Sequence, residues 1–401
     1  MADTRLMKQL FPIVGQEDIL GRLHSIAERS RYANAYLFHG PEGTGKEAMA
    51  MEFAAIMNCQ SDGTEPCGSC RGCKQMRHLQ HPNLSMIYAL PGGGGDKSDP
   101  LKGLGGSVIE EIQEAILAKS ENPYRKIRIS KAQNIKISSI RQMQKNIHMG
   151  LAESGRKIVL IFEAERMNDS AFNSILKIVE EPPEHTSFVF CTSVLHAIPE
   201  TIQSRCQLVP FRLLTREEVE EGLEQYTSIE EREALGQIAR MANGDFGFAL
   251  DLASRDLAKE KDRIVKFLQA VMGGKPMAIK EQVDMLSGLA KDSDLALRRF
   301  LLLIQLWLRD ARLWSETENV EQLVFQEMLD KIKKFVNHYE EIDYQTAQVL
   351  LENAVDFIER NVYIRLALYS LQVQLHQAIH GKLQEKNYGY RHRYSTANSL
   401  R

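Results

Sequence analysis

Gly40-Pro41-Glu42-Gly43-Thr44-Gly45-Lys46-Glu47 is the stretch from which the fold is read. It completes the pattern G-x-x-x-x-G-K, in which the amides of a glycine-rich turn and a lysine ammonium cradle phosphate groups. Gly40, Gly43, Thr44, Gly45 and Lys46 are therefore the candidate phosphate-binding residues. The next position ordinarily carries a Ser or Thr whose hydroxyl holds Mg²⁺, and here it carries Glu47. A carboxylate there repels the phosphates that the loop attracts, so no Mg²⁺ is expected, and ATP or ADP would be bound without hydrolysis. The flanks suit a working loop: Ala35-Tyr36-Leu37-Phe38 predicts a buried strand before it, and 47–57 predicts a helix after it.

Outward from this loop, short apolar runs alternate with helical segments over 6–210, the pattern of an α/β domain with a parallel sheet and crossover helices. Strands are expected at 35–39, 84–89, 126–129, 157–162 and 187–192. The segment 91–107 contains seven glycines and two prolines and predicts a mobile loop. A helix is expected over 108–119, and another through Ile140, Met143 and Ile147, capped by Ser138 or Ser139. After Pro210 the strand signals stop: Thr215 with Glu218 forms a capping box, and helical spacing continues to about residue 269. Gly273-Gly274-Lys275-Pro276 predicts a joint between domains, followed by five amphipathic helices at 277–290, 294–314, 318–338, 344–359 and 362–380. The apolar run Leu301-Leu302-Leu303-Ile304 makes the second of these either the centre of a bundle or a helix that meets a partner, with core burial the expectation. Residues 382–401 lack periodicity and predict a disordered tail. The expected division is thus 1–210, with a cysteine module at 59–73 and the insert at 91–107, then 211–272 and 276–381.

The chain has 401 residues, too many for a single core. Its 50 basic and 53 acidic residues give a net charge of -3, which argues against strong solitary binding to nucleic acid and towards protein partners. No apolar run has the length to cross a bilayer and the first residues lack a secretion signal, so a cytoplasmic location without membrane contact is expected.

Four of the six cysteines, Cys59, Cys67, Cys70 and Cys73, are spaced C-x7-C-x2-C-x2-C. Four soft thiolates with no open position suit a structural Zn²⁺ rather than a catalytic one. His78 and His81 lie nearby, but the shell is already full, and surface positions are expected for both. Cys191, inside Phe188-Val189-Phe190, is expected to be a small buried hydrophobe.

The strand 157–162 should end, in a phosphate-loop ATPase, on an Asp that completes the Mg²⁺ shell. It ends on Phe162-Glu163. Phe has no metal ligand, so a second magnesium contact is absent, and Glu163 and Glu165 are expected to be ordinary polar residues at a strand end.

The text running from Glu163-Ala164-Glu165-Arg166-Met167-Asn168 through Ala171-Phe172-Asn173-Ser174-Ile175-Leu176-Lys177, then Glu180-Glu181-Pro182-Pro183 and Ser204-Arg205-Cys206, resembles the clamp-loader subunits of bacterial DNA polymerase III, members of the AAA+ class. The resemblance covers about 6–270, and the helical remainder matches the family's collar domain in length. It implies an AAA+ phosphate-loop domain with a four-cysteine zinc module, a helical lid at 211–272 and an all-α collar at 276–381. Val14 matches the segment beside the adenine, and Thr192 the first sensor position. Gly247 stands where hydrolysing members carry a sensor Arg. Members divide into motor subunits with intact ATPase sites and a delta-prime group that keeps the Ser-Arg-Cys arginine while its own site decays, and this chain resembles the second. By that likeness Arg205, flanked by Ser204 and Cys206, is an arginine finger acting on a neighbouring subunit's ATP. The implied partners are the gamma/tau motor subunits, the delta subunit, the sliding clamp indirectly, and primed DNA through the assembly. Polymerisation would belong to the holoenzyme, a nucleotidyltransferase complex, and not to these residues. The alternative is an active motor ATPase of the gamma/tau type.

Overall fold

The computed structural model describes residues 9–381 apart from 62–63, 93–98, 150, 152, 293, 340 and 360–362. The expected tail at 382–401 and the middle of the glycine-rich insert lie outside the described residues. The chain divides into two compact units, Met1–Ser254 and Arg255–Arg401.

In the first unit five strands, β1 (Ala35–His39), β2 (Leu84–Ile87), β3 (Lys157–Ile161), β4 (Thr186–Thr192) and β5 (Gln207–Pro210), form one sheet in the order β2-β3-β4-β1-β5. Every pair is parallel. β3 and β4 are buried at every position, because a parallel sheet is covered by crossover helices on both faces and its inner strands have no wet side. Alternation sorts their side chains between two cores. Tyr36, Phe38, Ile158, Leu160, Val189 and Cys191 face one layer with the helix Lys46–Asn58. Leu37, Val159, Ile161, Phe188 and Phe190 face the other, under the helices Ile137–His148 and Asp169–Glu180.

One expected strand is corrected. Residues 126–129 are not in the sheet; Ile127 and Ile129 bury themselves in the first core while Lys126 and Arg128 reach Glu163. That alternation imitates a half-buried strand. The fifth strand is instead β5, where only Val209 is buried. A polar edge ending in Pro carries little strand signal, and it is suited to a sheet border. The serine cap is also corrected: the helix Ile137–His148 starts on Lys136, and Ser139 is buried inside it.

The sheet is followed in the same unit by three helices, Arg216–Tyr226, Arg232–Ala242 and Phe246–Ala253. The Thr215–Glu218 capping box is present: the Thr215 hydroxyl accepts from the Glu218 amide at 3.2 Å and the Glu218 carboxylate from the Thr215 amide at 2.8 Å.

The second unit is helical: Leu257–Gly273, Pro276–Asp292, Asp294–Thr317, Leu329–His338, Tyr344–Glu359 and Ile364–Ile379. Leu297, Leu301, Ile304 and Ala311 are fully buried along the long helix, which forms the core as expected. The expected helix over 318–338 is interrupted. Glu318 has φ 52°, two 3-10 turns follow at Val320–Gln322 and Gln326–Met328, and the buried Asp310 carboxylate accepts from the Phe325 amide at 2.7 Å. Gly274, at φ 59°, ends one helix and Pro276 begins the next, so the Gly-Gly-Lys-Pro joint lies inside this unit. Among the described residues no helix is long and apolar enough to cross a membrane.

Candidate functional site

The phosphate loop joins β1 to the helix Lys46–Asn58, and its glycines are required by space. A Cβ on Gly43, at φ 66°, would lie 1.6 Å from Asp245 Oδ1, and one on Gly40 would lie 2.2 Å from the Phe211 carbonyl oxygen. Thr44 donates from its hydroxyl to the Pro41 carbonyl at 3.0 Å. Lys46 folds back on the loop, donating to the Gly40 carbonyl at 2.8 Å and to that of Pro41. Burial lowers its pKa, with Glu42 opposing the shift.

The loop is closed over by the unit's own helices. Asp245 caps the helix Phe246–Ala253 by accepting from the Phe248 amide at 2.7 Å, and the Phe246 amide donates to the Gly43 carbonyl at 3.2 Å. Gly247, at the expected sensor position, follows immediately and supplies no side chain. Tyr124 packs edge-on against Phe246, with ring centroids 4.7 Å apart, and its hydroxyl accepts from the Val14 amide at 2.7 Å. The cleft left beside Gly43, Lys46 and Thr192 measures about 40 Å³, room for ordered water. The structure thus gathers Gly43, Thr44, Gly45, Lys46 and Thr192 around one cavity and sets Val14 against Tyr124 beside it.

Two carboxylates of this floor, Glu47 and Glu163, are ion-paired. Glu47 Oε2 lies 2.5 Å from Lys119 Nζ, and Lys119 is fully buried. Glu163, in the left-handed region at φ 50°, is gripped by Lys126 at 3.0 Å, Arg128 at 2.7 Å and Arg166 at 3.0 Å. Burial alone would raise the Glu163 carboxyl, but those three cations hold it at about 2. It is therefore the hub of an ion cluster, not an ordinary strand-end residue. Glu165 moves the other way: burial and then Glu163 raise its pKa. Lys119, Tyr124, Lys126 and Asp245 were not expected from the sequence. The one available signal was the alternation of basic and apolar residues over 126–129, which resembles a strand equally well.

Ser204, Arg205 and Cys206 do not line this cavity. Arg205 is about a third exposed and is held by Glu180: Nε and Nη2 donate to Glu180 Oε2 at 3.2 and 3.0 Å, and Nη1 donates to the Thr201 carbonyl at 2.9 Å. The Ser204 hydroxyl donates to the Thr201 carbonyl at 3.3 Å. Burial pushes the Cys206 thiol up to about 12, which makes it a packing residue.

Cys59, Cys67, Cys70 and Cys73 form a separate cluster with all four sulfurs within 4.8 Å of one another. Cys67 and Cys73 sulfurs are 3.9 Å apart, close to the edge of a tetrahedron of thiolates around an ion bonded at about 2.3 Å. Amides of Cys67, Cys70 and Cys73 donate to the sulfurs of Cys59, Cys67 and Cys70, each at 3.3 Å. The Cys70 amide and then the Ser69 hydroxyl pull the Cys67 thiol down to about 5. The donor set fits a soft tetrahedral ion. Of the neighbouring histidines, His78 is exposed as expected, but His81 is buried, with Nε2 3.8 Å from Glu153. A Cβ on Gly72 would lie 3.5 Å from the same ring nitrogen, so His81 sits close to the helix that carries Cys73.

A glycine-rich phosphate loop between the first strand and its helix, in a parallel sheet covered on both faces, defines a phosphate-loop α/β protein. The family model described as "DNA polymerase III, delta subunit" matches residues 15–215, just over half of the chain, and the chain belongs to that family. It is 29% identical over 265 residues to DNA polymerase III subunit tau of Bacillus subtilis, covering 65% of this chain and 39% of that protein. It is 28% identical over 324 residues to subunit delta' of the same organism, covering 80% of this chain and 83% of that protein. Against subunit tau of Escherichia coli it is 27% identical over 267 residues, covering 65% of this chain and 35% of the relative. The chain thus spans well under half of the tau relatives and most of the delta' relative. Among solved structures, a DNA polymerase III gamma subunit-related protein of Thermotoga maritima aligns over 90% of this chain and 99% of its own at 15% identity, with a TM-score of 0.45.

Proposed function

We propose that this chain works as a delta-prime-type subunit of the DNA polymerase III clamp loader, a stator that hydrolyses no ATP itself. In this reading the first unit is an AAA+ domain and its last three helices are the lid. The helices after it form the collar that joins gamma/tau motor subunits and a delta subunit. The assembly loads a sliding clamp onto primed DNA. Zn²⁺ held by Cys59, Cys67, Cys70 and Cys73 staples the module at 59–73.

The observation that carries the reading is the contrast between the two ends of the machinery. The loop's metal positions are filled by a Glu47–Lys119 ion pair and by Phe162, while Arg205 stands at the surface on the Ser-Arg-Cys turn, away from its own loop. A guanidinium so placed suits the γ-phosphate of an adjacent subunit, where its planar fork stabilises charge as the phosphoryl group transfers. Its bond to Glu180 is an exposed pair of the kind worth about 0–1 kcal/mol, weak enough to yield to a phosphate. In a complex reconstituted with motor subunits, Arg205→Ala should leave assembly intact and lower ATP turnover by about 10³ or more. An unchanged rate would remove the finger from the mechanism.

The similarity to tau over 265 residues, together with the complete G-x-x-x-x-G-K, favours one other reading, an active motor. Turnover by the isolated chain at motor-like rates, lost in Lys46→Ala, would establish it.

A further inference from the structure

Glu47 and Phe162 occupy the two positions whose side chains complete a magnesium shell in hydrolysing phosphate-loop proteins, and one buried ammonium touches both. Lys119 Nζ lies 2.5 Å from Glu47 Oε2 and 4.8 Å from the centre of the Phe162 ring, whose face is negative. Its remaining donors go to the carbonyls of Arg125 at 2.9 Å and Pro123 at 3.2 Å. With all three ammonium donors engaged and no exposure, the side chain is fixed in place. A divalent ion drawn to Glu47 would have to displace this charge or sit against it, and burial leaves the repulsion little screened. The residues present do not fit Mg²⁺.

We infer that Lys119 closes the cleft to divalent metal, so that the phosphate loop takes a nucleoside di- or triphosphate without Mg²⁺. Lys46 and Lys126 also line the cavity, the second paired there with Glu42 and Glu163. Lys46 turns from the Gly40 and Pro41 carbonyls to the phosphates, and entry requires the Phe246–Gly43 hydrogen bond to open. Glu47, neutralised by Lys119, no longer repels the incoming charge. The two motif departures are on this view one coordinated exchange, a metal shell for an internal cation. The inference rests on the reading that the loop still admits nucleotide, and it is independent of the finger role of Arg205.

The test is calorimetric titration of the full chain with ADP and with ATP, in EDTA and in excess Mg²⁺. Binding should be present in EDTA and weaken by about tenfold or more in excess Mg²⁺, which sequesters the nucleotide as a complex the cleft excludes. In the double variant Glu47→Ser, Lys119→Met, which restores the hydroxyl and removes the cation, Mg²⁺ should tighten binding about tenfold. Absence of binding in EDTA, or binding of the unaltered chain that is as tight or tighter in excess Mg²⁺, overturns the inference, as does a folded double variant that Mg²⁺ weakens as it does the unaltered chain. If the double variant does not fold, paramagnetic resonance of Mn²⁺ with ADP and the unaltered chain decides. A signal that matches Mn²⁺ with ADP alone supports exclusion, and one broadened by the protein overturns it. A rate loss in Arg205→Ala complexes alongside binding that Mg²⁺ does not weaken would remove this inference and leave the stator standing.

Discussion

Glu52 shows at the scale of one residue how a carboxylate can be built into an apolar layer. It lies on the buried face of the helix Lys46–Asn58 and accepts from the amides of Leu10 and Phe11 at 2.9 and 2.8 Å, tying the described start of the chain to the core. Burial raises its pKa from 4.5 to about 7, against the opposing pull of those two amides. A folded pKa above the unfolded one means that the group's stabilising contribution is complete below about 4.5 and is lost as pH rises through about 7. Stability to urea should therefore fall between pH 5 and pH 8 by up to about 3 kcal/mol from this group. Glu52→Gln keeps an acceptor for both amides and should flatten that slope; identical pH profiles for the two proteins would count against the assignment. Legibility at this scale followed local spacing. The phosphate-loop residues and the four cysteines announce themselves within short windows, whereas Lys119 meets Glu47 across 72 residues and nothing near either one signals the pair.

Elements were legible where their pattern was complete. The strands of the sheet interior are continuous apolar runs, and the Thr215 cap with Glu218 is a two-residue signal of a single geometry. Residues 126–129 and β5 exchanged places because alternation marks any segment with one buried side, while an edge strand needs few apolar residues. Thr215→Ala should cost about 1 kcal/mol in chemical unfolding of the first unit, and a loss within error would mean that Glu218 and Arg212 hold the helix start alone. The cysteine module is an element with almost no core of its own: between the helix Lys46–Asn58 and the short helix Arg71–Arg77 it is ordered by N–H···S bonds, including the cap that Cys70 provides to the Cys73 amide. Metal analysis should find about one zinc per chain, and Cys70→Ser should abolish it and lower the melting temperature of the first unit. Metal-free protein of equal stability would dismiss the site.

At the scale of the whole molecule, the place to divide the chain follows from which residues the helix Leu257–Gly273 needs. Its Ile264, Phe267 and Val271 are fully buried, and Phe267 meets Phe300 edge-on at 5.8 Å within the second unit. The Gly-Gly-Lys-Pro turn looks like a domain joint in sequence because glycine and proline punctuate both linkers and tight helix–helix turns. A chain ended at Lys275 would strip that helix of its partners and expose side chains whose burial is worth about 1.5–3 kcal/mol each. A chain ended at Ser254 would not. Residues 1–254 should therefore unfold in one cooperative transition, whereas residues 1–275 should aggregate or bind a hydrophobic dye. If the remaining helices form the collar, the 1–254 protein should also fail to co-elute with motor and delta subunits in size-exclusion chromatography, while still binding about one zinc. Co-elution of 1–254 with those subunits would move the assembly surface into the first unit, and a disordered 1–254 would show that the sheet and its three following helices depend on the second.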